Sequence, residues 1–156
     1  TRRQELSDQQ IEEQRRLLLR AEMKQHNTQL ADAAKDAGVI QPRDYAIFQN
    51  HGYMGLYGGL GAQDIHTRKG LKKNQQILDH MGSTELAANL FRATQAEEKL
   101  KRDNVKDKIT ANQTHYEVGK KVRKAIGEIG GTMPESLPGA ESIKLVERKQ
   151  KRLPKK

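Results

Sequence analysis

Apolar residues recur at helical spacing along the first forty positions, with charged residues on the opposite face. They are Ile11, Leu18, Leu19, Met23, Leu30, Ala33, Ala34 and Ala37. Ser7 and Gln10 have the spacing of a capping box ahead of this pattern, and Gly38 is a C-terminal stop signal. We therefore predict one long amphipathic helix over residues 7–37, within a first segment at 1–40.

A single helix of about thirty residues extends roughly 45 Å, which is longer than the core of a small domain needs. Part of this helix is therefore expected to pack outside the domain. It would do so in a homo-oligomer formed through residues 7–37, or against a missing N-terminal domain. The alternative is a break near residues 26–28 that gives two ordinary helices.

Further helices are predicted after Pro42, at 43–57, 64–69, 74–81, 83–103 and 108–129. The apolar set of 83–103 is Leu86, Leu90, Phe91, Ala93 and Leu100. The buried candidates of 108–129 are Ile109, Ala111, Tyr116, Val118, Val122, Ala125, Ile126 and Ile129. Sustained alternation of β-branched residues, which would indicate strands, is absent from the sequence. The fold class is therefore predicted as all-α, with a helical core domain at 41–131.

The composition changes from Thr132, where Pro134, Pro138 and Gly139 interrupt regular structure. Residues 141–156 carry seven basic and two acidic residues. We expect a basic, partly flexible or loosely docked tail at 132–156, with at most one helix over 141–151.

Length and composition narrow the functional classes. The 156 residues suit one domain, and no cysteine is present, which excludes disulfides, zinc ribbons and thiol catalysis. No stretch of the sequence approaches the roughly 20 apolar residues of a membrane span, so we expect no membrane partner. The absence of cysteine fits a reducing cytosol, and we expect a bacterial cytoplasmic protein that is nucleoid-associated at most. The first residue is Thr1 and not methionine, from which we expect a trimmed chain, a processed product or a fragment.

The glycine-rich run HGYMGLYGGLG at 51–61 raises the question of a phosphate loop. Its glycines lie three positions apart, which fits neither the dinucleotide fingerprint nor a Walker loop, and a KH-type loop would need a sheet. We favour an interpretation in which the bare glycine face lets another backbone approach and Gly58-Gly59 ends the helix. The alternative is a phosphate site formed by the loop amides ahead of 68–73.

Catalytic and metal-binding patterns are not found in the sequence. The histidines His51, His66, His80 and His115 lie far apart and form no ligand motif, so each is interpreted as a surface or packing residue. No residue set selects a catalytic triad or a carboxylate dyad. We expect neither an enzyme nor a cofactor.

Basic clusters are the strongest functional signal. The net charge is +9, and residues 1–60 are neutral overall, so the whole excess lies in 61–156. The clusters are Arg68, Lys69, Lys72 and Lys73; Lys120, Lys121, Arg123 and Lys124; and Arg148, Lys149, Lys151 and Arg152 in the tail. The first two would form positive stripes on helices. Together the three predict sequence-independent contact with the DNA backbone.

Long strings of the sequence resemble the bacterial DNA-damage-inducible protein D family. They are AIFQNHGYMGLYGGLGAQDIHTRKGLKKNQQILDHMGSTELAANLFRATQAEEKLKRDN at 46–104, HYEVGKKVRKAIGEIGGTMPESLP at 115–138, SIKLVE at 142–147 and TRRQEL at the start. The resemblance covers essentially the whole chain. It implies a protein of the SOS response with an additional N-terminal domain, similar to domains of phage antirepressors and viral BRO proteins, that this chain lacks.

The same resemblance implies negative regulation of the recombinase that forms filaments on single-stranded DNA, and it carries no catalytic residue. We therefore expect a non-enzymatic regulator of recombinase filaments and strand exchange that also contacts DNA non-specifically. The alternative is a protein-only oligomerisation or scaffold module of the damage response without DNA binding.

Overall fold

Six α-helices form the part of the chain that the structure, a computed structural model, describes: residues 2–152. They are α1 Arg2–Asp36, α2 Pro42–Leu56, α3 Ala62–Arg68, α4 Ser83–Arg102, α5 Lys108–Ile129 and α6 Ile143–Arg152. Two 3₁₀ turns lie at Ile77–His80 and Pro134–Ser136. Within residues 2–152 the only β pairing is one isolated bridge between Met81 and Gly139. The all-α prediction is confirmed.

The four long helices pack as two parallel pairs. Glu12 of α1 contacts Ser83 at the start of α4, and Gly38 after α1 lies beside Lys106 after α4. In the second pair, Lys108 of α5 reaches Asp44 of α2, and the packing of α2 against α5 is the most extensive in the domain. The two pairs share a core around Met23, Leu30, Phe48, Ala93 and Ala96.

Helix α1 runs unbroken from Arg2 to Asp36, so the predicted alternative of two helices is wrong. The predicted start at Ser7 is also wrong, because Ser7 lies inside the helix. The side chains of residues 2–5 and 7–11 are exposed, while Met23, Leu30 and Ala34 are buried against the rest of the domain.

The carboxylate of Glu12 caps helix α4. Its two oxygens accept hydrogen bonds from the Ser83 backbone N–H at 2.9 Å and from the Ser83 hydroxyl at 2.5 Å. The N-cap position itself is Gly82, which has no side chain to do this. A negative charge at a helix N-terminus is also favourable for the helix dipole. A residue of α1 therefore supplies what the local sequence of α4 lacks.

The glycine run confirms the close-packing interpretation. A Cβ added at Gly55 would lie 2.2 Å from the Tyr116 backbone oxygen, and one at Gly119 would lie 2.7 Å from the Gly52 oxygen. Helices α2 and α5 therefore touch backbone to backbone. Gly58 and Gly59 then adopt positive φ angles of 66° and 101°, which end α2 as predicted.

Three residues predicted as buried are exposed. Phe91 is 52 % exposed, Ile109 66 % and Ile129 83 %. The reason is that polar residues occupy much of the inner face of α4 and α5. On these two helices, an apolar residue type alone therefore does not predict burial. The buried polar residues of these two helices are Glu85, Asn89, Arg92, Thr114 and His115.

The C-terminal segment packs on the domain as far as the structure describes it. Ile143 and Val146 of α6 are buried, and α6 lies against α1. The buried guanidinium of Arg16 donates to the backbone oxygens of Met81 and Glu141, at 2.9 and 2.6 Å, which ties this segment to α1. The tail helix expected over 141–151 is thus present as α6, and the last part of the predicted tail, 153–156, lies outside the described residues. The short helix predicted at 74–81 is reduced to the 3₁₀ turn Ile77–His80.

Candidate functional site

The first basic cluster does not form the helical stripe that its spacing predicts. Helix α3 ends at Arg68, and Gly70 adopts a positive φ of 67°, which an L side chain disfavours. Lys72 and Lys73 therefore lie in the loop after α3, where both are exposed. Arg68 is exposed as well and donates from Nε to the Glu135 backbone oxygen at 2.8 Å.

Lys69 points inward, unlike its neighbours. Its Nζ lies 2.7 Å from Glu85 Oε1, and the two side chains are only 10 % and 1 % exposed. The other oxygen of Glu85 accepts the Tyr57 hydroxyl proton in a short hydrogen bond. Lys69 is therefore the counter-ion of a buried carboxylate.

The second cluster divides in the same way. Lys120, Lys121 and Lys124 of α5 are exposed, and Lys120 lies 6.0 Å from the centre of the Tyr116 ring. Arg123 turns toward the domain and donates from Nη1 to both carboxylate oxygens of Glu135 at 2.7 and 2.8 Å.

Glu135 joins these two clusters. Arg68 binds its backbone oxygen and Arg123 binds its carboxylate, so one residue of the Pro134–Ser136 turn contacts an arginine from each cluster. Two regions separated by about fifty residues in sequence thus meet at a single acidic residue. We call the cationic residues of these two regions the basic surface.

The third cluster lies elsewhere, on α6 against α1. Lys149 contacts Glu13 at 3.3 Å and Glu141 at 3.1 Å. Arg148, Lys151 and Arg152 are exposed. The structure therefore brings one arginine of each of the first two predicted clusters to Glu135 and places Lys149 of the third beside Glu13 of α1.

A chain of buried polar side chains runs from Lys69 into the core, and the sequence analysis did not identify it. Beyond Glu85 and Tyr57, the Asn89 Nδ2 donates to the Tyr57 hydroxyl at 3.0 Å, and Arg92 Nη2 donates to Asn89 Oδ1 at 3.2 Å. Burial raises the pKa of the Tyr57 hydroxyl, and the Glu85 carboxylate raises it further. The sequence signal was the polar spacing of residues 85, 89 and 92 on one face of α4.

His115 closes this chain at the centre of the domain. Its Nε2 accepts a hydrogen bond from Arg92 Nη1 at 2.5 Å, so Nδ1 carries the ring proton and donates to the Phe48 oxygen at 2.8 Å. Burial lowers the pKa of His115 well below its usual value, and the positive charge of Arg92 lowers it further. His115 is thus a packing residue with a structural role, as the sequence predicts for the histidines.

Residues 2–152 contain no group of three or more His, Cys, Asp or Glu side chains placed to hold a metal ion. None of the helices in this described part is both long enough and apolar enough to cross a membrane.

Comparisons with known proteins agree on one family. A sequence-family model described as the DinD C-terminal domain matches residues 10–146. The chain is also 63 % identical, over 162 residues, to the DNA damage-inducible protein D of Escherichia coli (strain K12). The match covers 100 % of this chain and 59 % of that protein, so the chain spans somewhat more than half the length of this relative. No solved structure matches.

Proposed function

This chain belongs to the DinD C-terminal domain family, and from that premise we propose that it acts without catalysis in the DNA-damage response, as a negative regulator of recombinase filaments that also contacts the DNA backbone. The role in the DNA-damage response is inferred from the name of the 63 % identical relative. The regulation of recombinase filaments and the absence of catalysis are inferred from the family resemblance of the sequence. The DNA contact is inferred from the basic surface. We also propose a cytoplasmic location.

The observation that carries the DNA contact is the meeting of Arg68 and Arg123 at Glu135. The exposed Arg68 and the half-buried Arg123 meet there. Five further cationic side chains of the same two sequence regions are exposed: Lys72, Lys73, Lys120, Lys121 and Lys124. Each phosphate that such a surface neutralises releases counterions, so binding should weaken steeply as salt rises.

A charge-reversal experiment tests the DNA contact. We expect the variant Lys72→Glu/Lys73→Glu/Lys120→Glu/Lys124→Glu to bind DNA at least about ten-fold more weakly at low salt and with a flatter salt dependence. The matched control reverses exposed residues of the third cluster, Arg148→Glu/Lys151→Glu/Arg152→Glu, and should have the smaller effect. Equal affinities of the first variant and the unaltered protein in a mobility-shift titration would contradict the proposed surface.

A strand-exchange assay tests the regulatory half of the proposal. Added protein should inhibit recombinase-dependent strand exchange, and the inhibition should weaken as the salt concentration rises. The charge-reversal variant then separates two routes. Inhibition that survives charge reversal would mean that the filament protein, and not the DNA backbone, is the main contact. No inhibition at any concentration would rule out the regulatory role for this chain.

A protein-only scaffold remains the second candidate function, and the outer face of α1 favours it. Ile11 and Leu18 lie seven positions apart on this helix and are 44 % and 65 % exposed. A second copy of the chain could cover both through residues 7–37. Sedimentation of the protein and of Ile11→Glu/Leu18→Glu tests this. A dimer that dissociates in the variant and ignores DNA at low salt would favour the scaffold over the DNA-contact function.

A further inference from the structure

Residues 132–138 connect α5 to the segment that carries α6, and they include the turn Pro134–Ser136 with Glu135. A glycine in open space stands near each end of them. Gly130 has a φ of 84°, and nothing lies within 4 Å of a Cβ added at Gly130 or at Gly139. Glycine restricts the backbone least, so these two positions can serve as hinges for the residues between them.

A cleft of about 170 Å³ lies between this segment and the rest of the domain. Glu135 and Leu137 line one side of it, and the buried ion pair of Lys69 and Glu85 lies on the other. A single water molecule needs far less space than this. Pro134 is the only buried residue of 132–138. The segment therefore spans a gap and is not packed tightly onto the residues below it.

Glu135 supplies polar contacts that hold the segment against the domain. Its carboxylate accepts two hydrogen bonds from Arg123 Nη1, at 2.7 and 2.8 Å, and its backbone oxygen accepts one from Arg68 Nε at 2.8 Å. The Arg123 and Glu135 side chains are 27 % and 13 % exposed, so water reaches this ion pair. Ion pairs that water reaches contribute little net stability, because each partner is well solvated when they separate. Another anion can therefore replace the carboxylate at low cost.

Arg123 has contacts that do not depend on Glu135. Its Nη1 also donates to the Leu56 backbone oxygen at 3.2 Å. A Cβ at Gly58 would come within 2.8 Å of Arg123 Cζ, so the glycine leaves the room that the guanidinium occupies. A guanidinium binds a carboxylate and a phosphate with the same N–H donors. The position of the Glu135 carboxylate is therefore also suited to a phosphate group.

We propose that Arg123, with Arg68 beside it, forms a phosphate site that the protein's own Glu135 occupies, and that residues 132–138 are a lid over this site. The lid leaves when a phosphate of a polynucleotide replaces the Glu135 carboxylate. The inference rests on the proposed DNA contact, and it adds the site at which a phosphate enters and the group that must leave.

Tethering of Glu135 makes this site selective for a phosphate chain. A carboxylate on a short flexible segment has an effective concentration on the order of millimolar at its arginine. A free phosphate ion at micromolar concentration cannot compete with it. A strand already bound by the exposed lysines of α5, Lys120, Lys121 and Lys124, is tethered as well, so its phosphates compete on equal terms. The site therefore discriminates a polynucleotide from a single phosphate.

A single label on the lid tests its movement, because the chain has no native cysteine. The whole chain with Ser136→Cys carries an environment-sensitive fluorophore at an exposed lid position, and Gln25→Cys, at an exposed position of α1, is the labelled control. A short DNA strand at low salt should change the Ser136 label saturably and leave the control unchanged. Inorganic phosphate should need about a hundred-fold higher phosphate concentration to reach the same signal. No change at DNA concentrations that saturate binding, or equal changes at both labels, would overturn the lid.

Two substitutions distinguish the lid from an ordinary surface ion pair. Glu135→Gln and Arg123→Gln each release the lid, so both should shift the Ser136 label before DNA is added. Their DNA affinities should change in opposite directions, about three-fold upward in Glu135→Gln and about three-fold or more downward in Arg123→Gln. Changes in the same direction would overturn the phosphate site. If Arg123→Gln does not fold, Arg68→Gln, at an exposed position, takes its place.

The two proposals can fail separately. A Ser136 label that responds to long-chain polyphosphate, in a protein that binds no DNA, would retain the phosphate site and remove the DNA-backbone function. DNA binding that leaves the Ser136 label unchanged, with the same affinity in Glu135→Gln as in the unaltered protein, would retain the backbone contact and overturn the lid.

Discussion

Arg92 donates a hydrogen bond to Nε2 of His115 at 2.5 Å, and both side chains are completely buried. The guanidinium of Arg92 also lies 5.0 Å from the centre of the Tyr53 ring. A neutral imidazole is the only form of His115 that can accept from an arginine, so this contact fixes the protonation state of the histidine at the centre of the domain. It also makes the domain sensitive to acid.

Protonation of His115 should destabilise the fold below neutral pH. The pKa of His115 in the folded chain lies well below the usual 6.5, because burial and then Arg92 disfavour a second positive charge. Between these two pKa values the unfolded chain binds more protons, so the free energy of unfolding falls as the pH falls through this window. The slope should approach about 1.4 kcal/mol per pH unit, and the contribution is fully present above about pH 7.5.

Urea denaturation between pH 5 and pH 8 measures this effect. The comparison variant is His115→Gln, whose amide can accept from Arg92 and donate to the Phe48 oxygen without titrating. Its free energy of unfolding should depend less steeply on pH below 6.5. Parallel pH profiles for the two proteins would show that His115 does not govern the acid response.

Alanine at Gly55 should destabilise the domain, although alanine is the better helix former by about 1 kcal/mol. Its Cβ would lie 2.2 Å from the Tyr116 oxygen, so α2 and α5 would have to separate. We expect a cost of about 3 kcal/mol or more in the free energy of unfolding.

Gly127→Ala is the matched control for that substitution. Gly127 is also in a helix, but the nearest atom to its added Cβ is the flexible end of Met133 at 3.1 Å. We measure both variants by thermal denaturation, in which Gly127→Ala should be neutral or slightly stabilising. If Gly55→Ala is equally well tolerated, the close backbone contact between α2 and α5 is not important for stability.

Much of the fold follows from local sequence signals. Pro42 at the start of α2, Gly130 with φ 84° after α5 and the glycines at 58 and 59 are strong local boundaries, and the predicted ends of these helices agree with the structure to within one or two residues. The sequence also predicts the start of α4 at Ser83, but not the side chain that caps it. Helix α4 is capped by Glu12, which is 71 residues away in the chain.

The interior was harder to predict, because its polar residues are paired with residues from other helices. Charged residues such as Glu85 and Arg92 are mostly exposed in proteins, yet here they are buried in contact with Lys69, Tyr57 and His115. The same limit applies to the basic clusters. Sequence spacing identifies them, but only the tertiary structure shows that Lys69 and Arg123 face acidic residues while Lys72 and Lys124 face solvent.

Removal of the Lys69 charge should affect stability, whereas removal of the Lys73 charge should affect DNA binding. Lys69→Met leaves the Glu85 carboxylate, which is 1 % exposed, without its counter-ion. Breaking a buried ion pair in this way costs about 3 kcal/mol or more. Lys73→Met should change the free energy of unfolding by less than about 0.5 kcal/mol, because Lys73 is an exposed loop residue.

The same two variants differ in the opposite sense in a DNA titration at low salt. Lys73→Met should weaken binding and reduce the slope of log binding constant against log salt concentration by about one, which corresponds to one phosphate contact. Folded Lys69→Met should bind nearly as well as the unaltered protein. A larger loss of DNA affinity in Lys69→Met than in Lys73→Met would contradict the assignment of Lys69 to the core.

Neutralising Glu135 should strengthen DNA binding. Its carboxylate holds Arg123 at 2.7 Å and competes with phosphate for that guanidinium, and it lies between the two basic clusters. Glu135→Gln should raise DNA affinity about three-fold at low salt and steepen the salt slope by about one, because Arg123 becomes available. Asp36→Asn, which removes an exposed carboxylate at the end of α1, is the control for the change in net charge. Equal gains in the two variants would show that Glu135 acts only through the overall charge, and the joined surface around Arg68 and Arg123 would then not be the DNA contact.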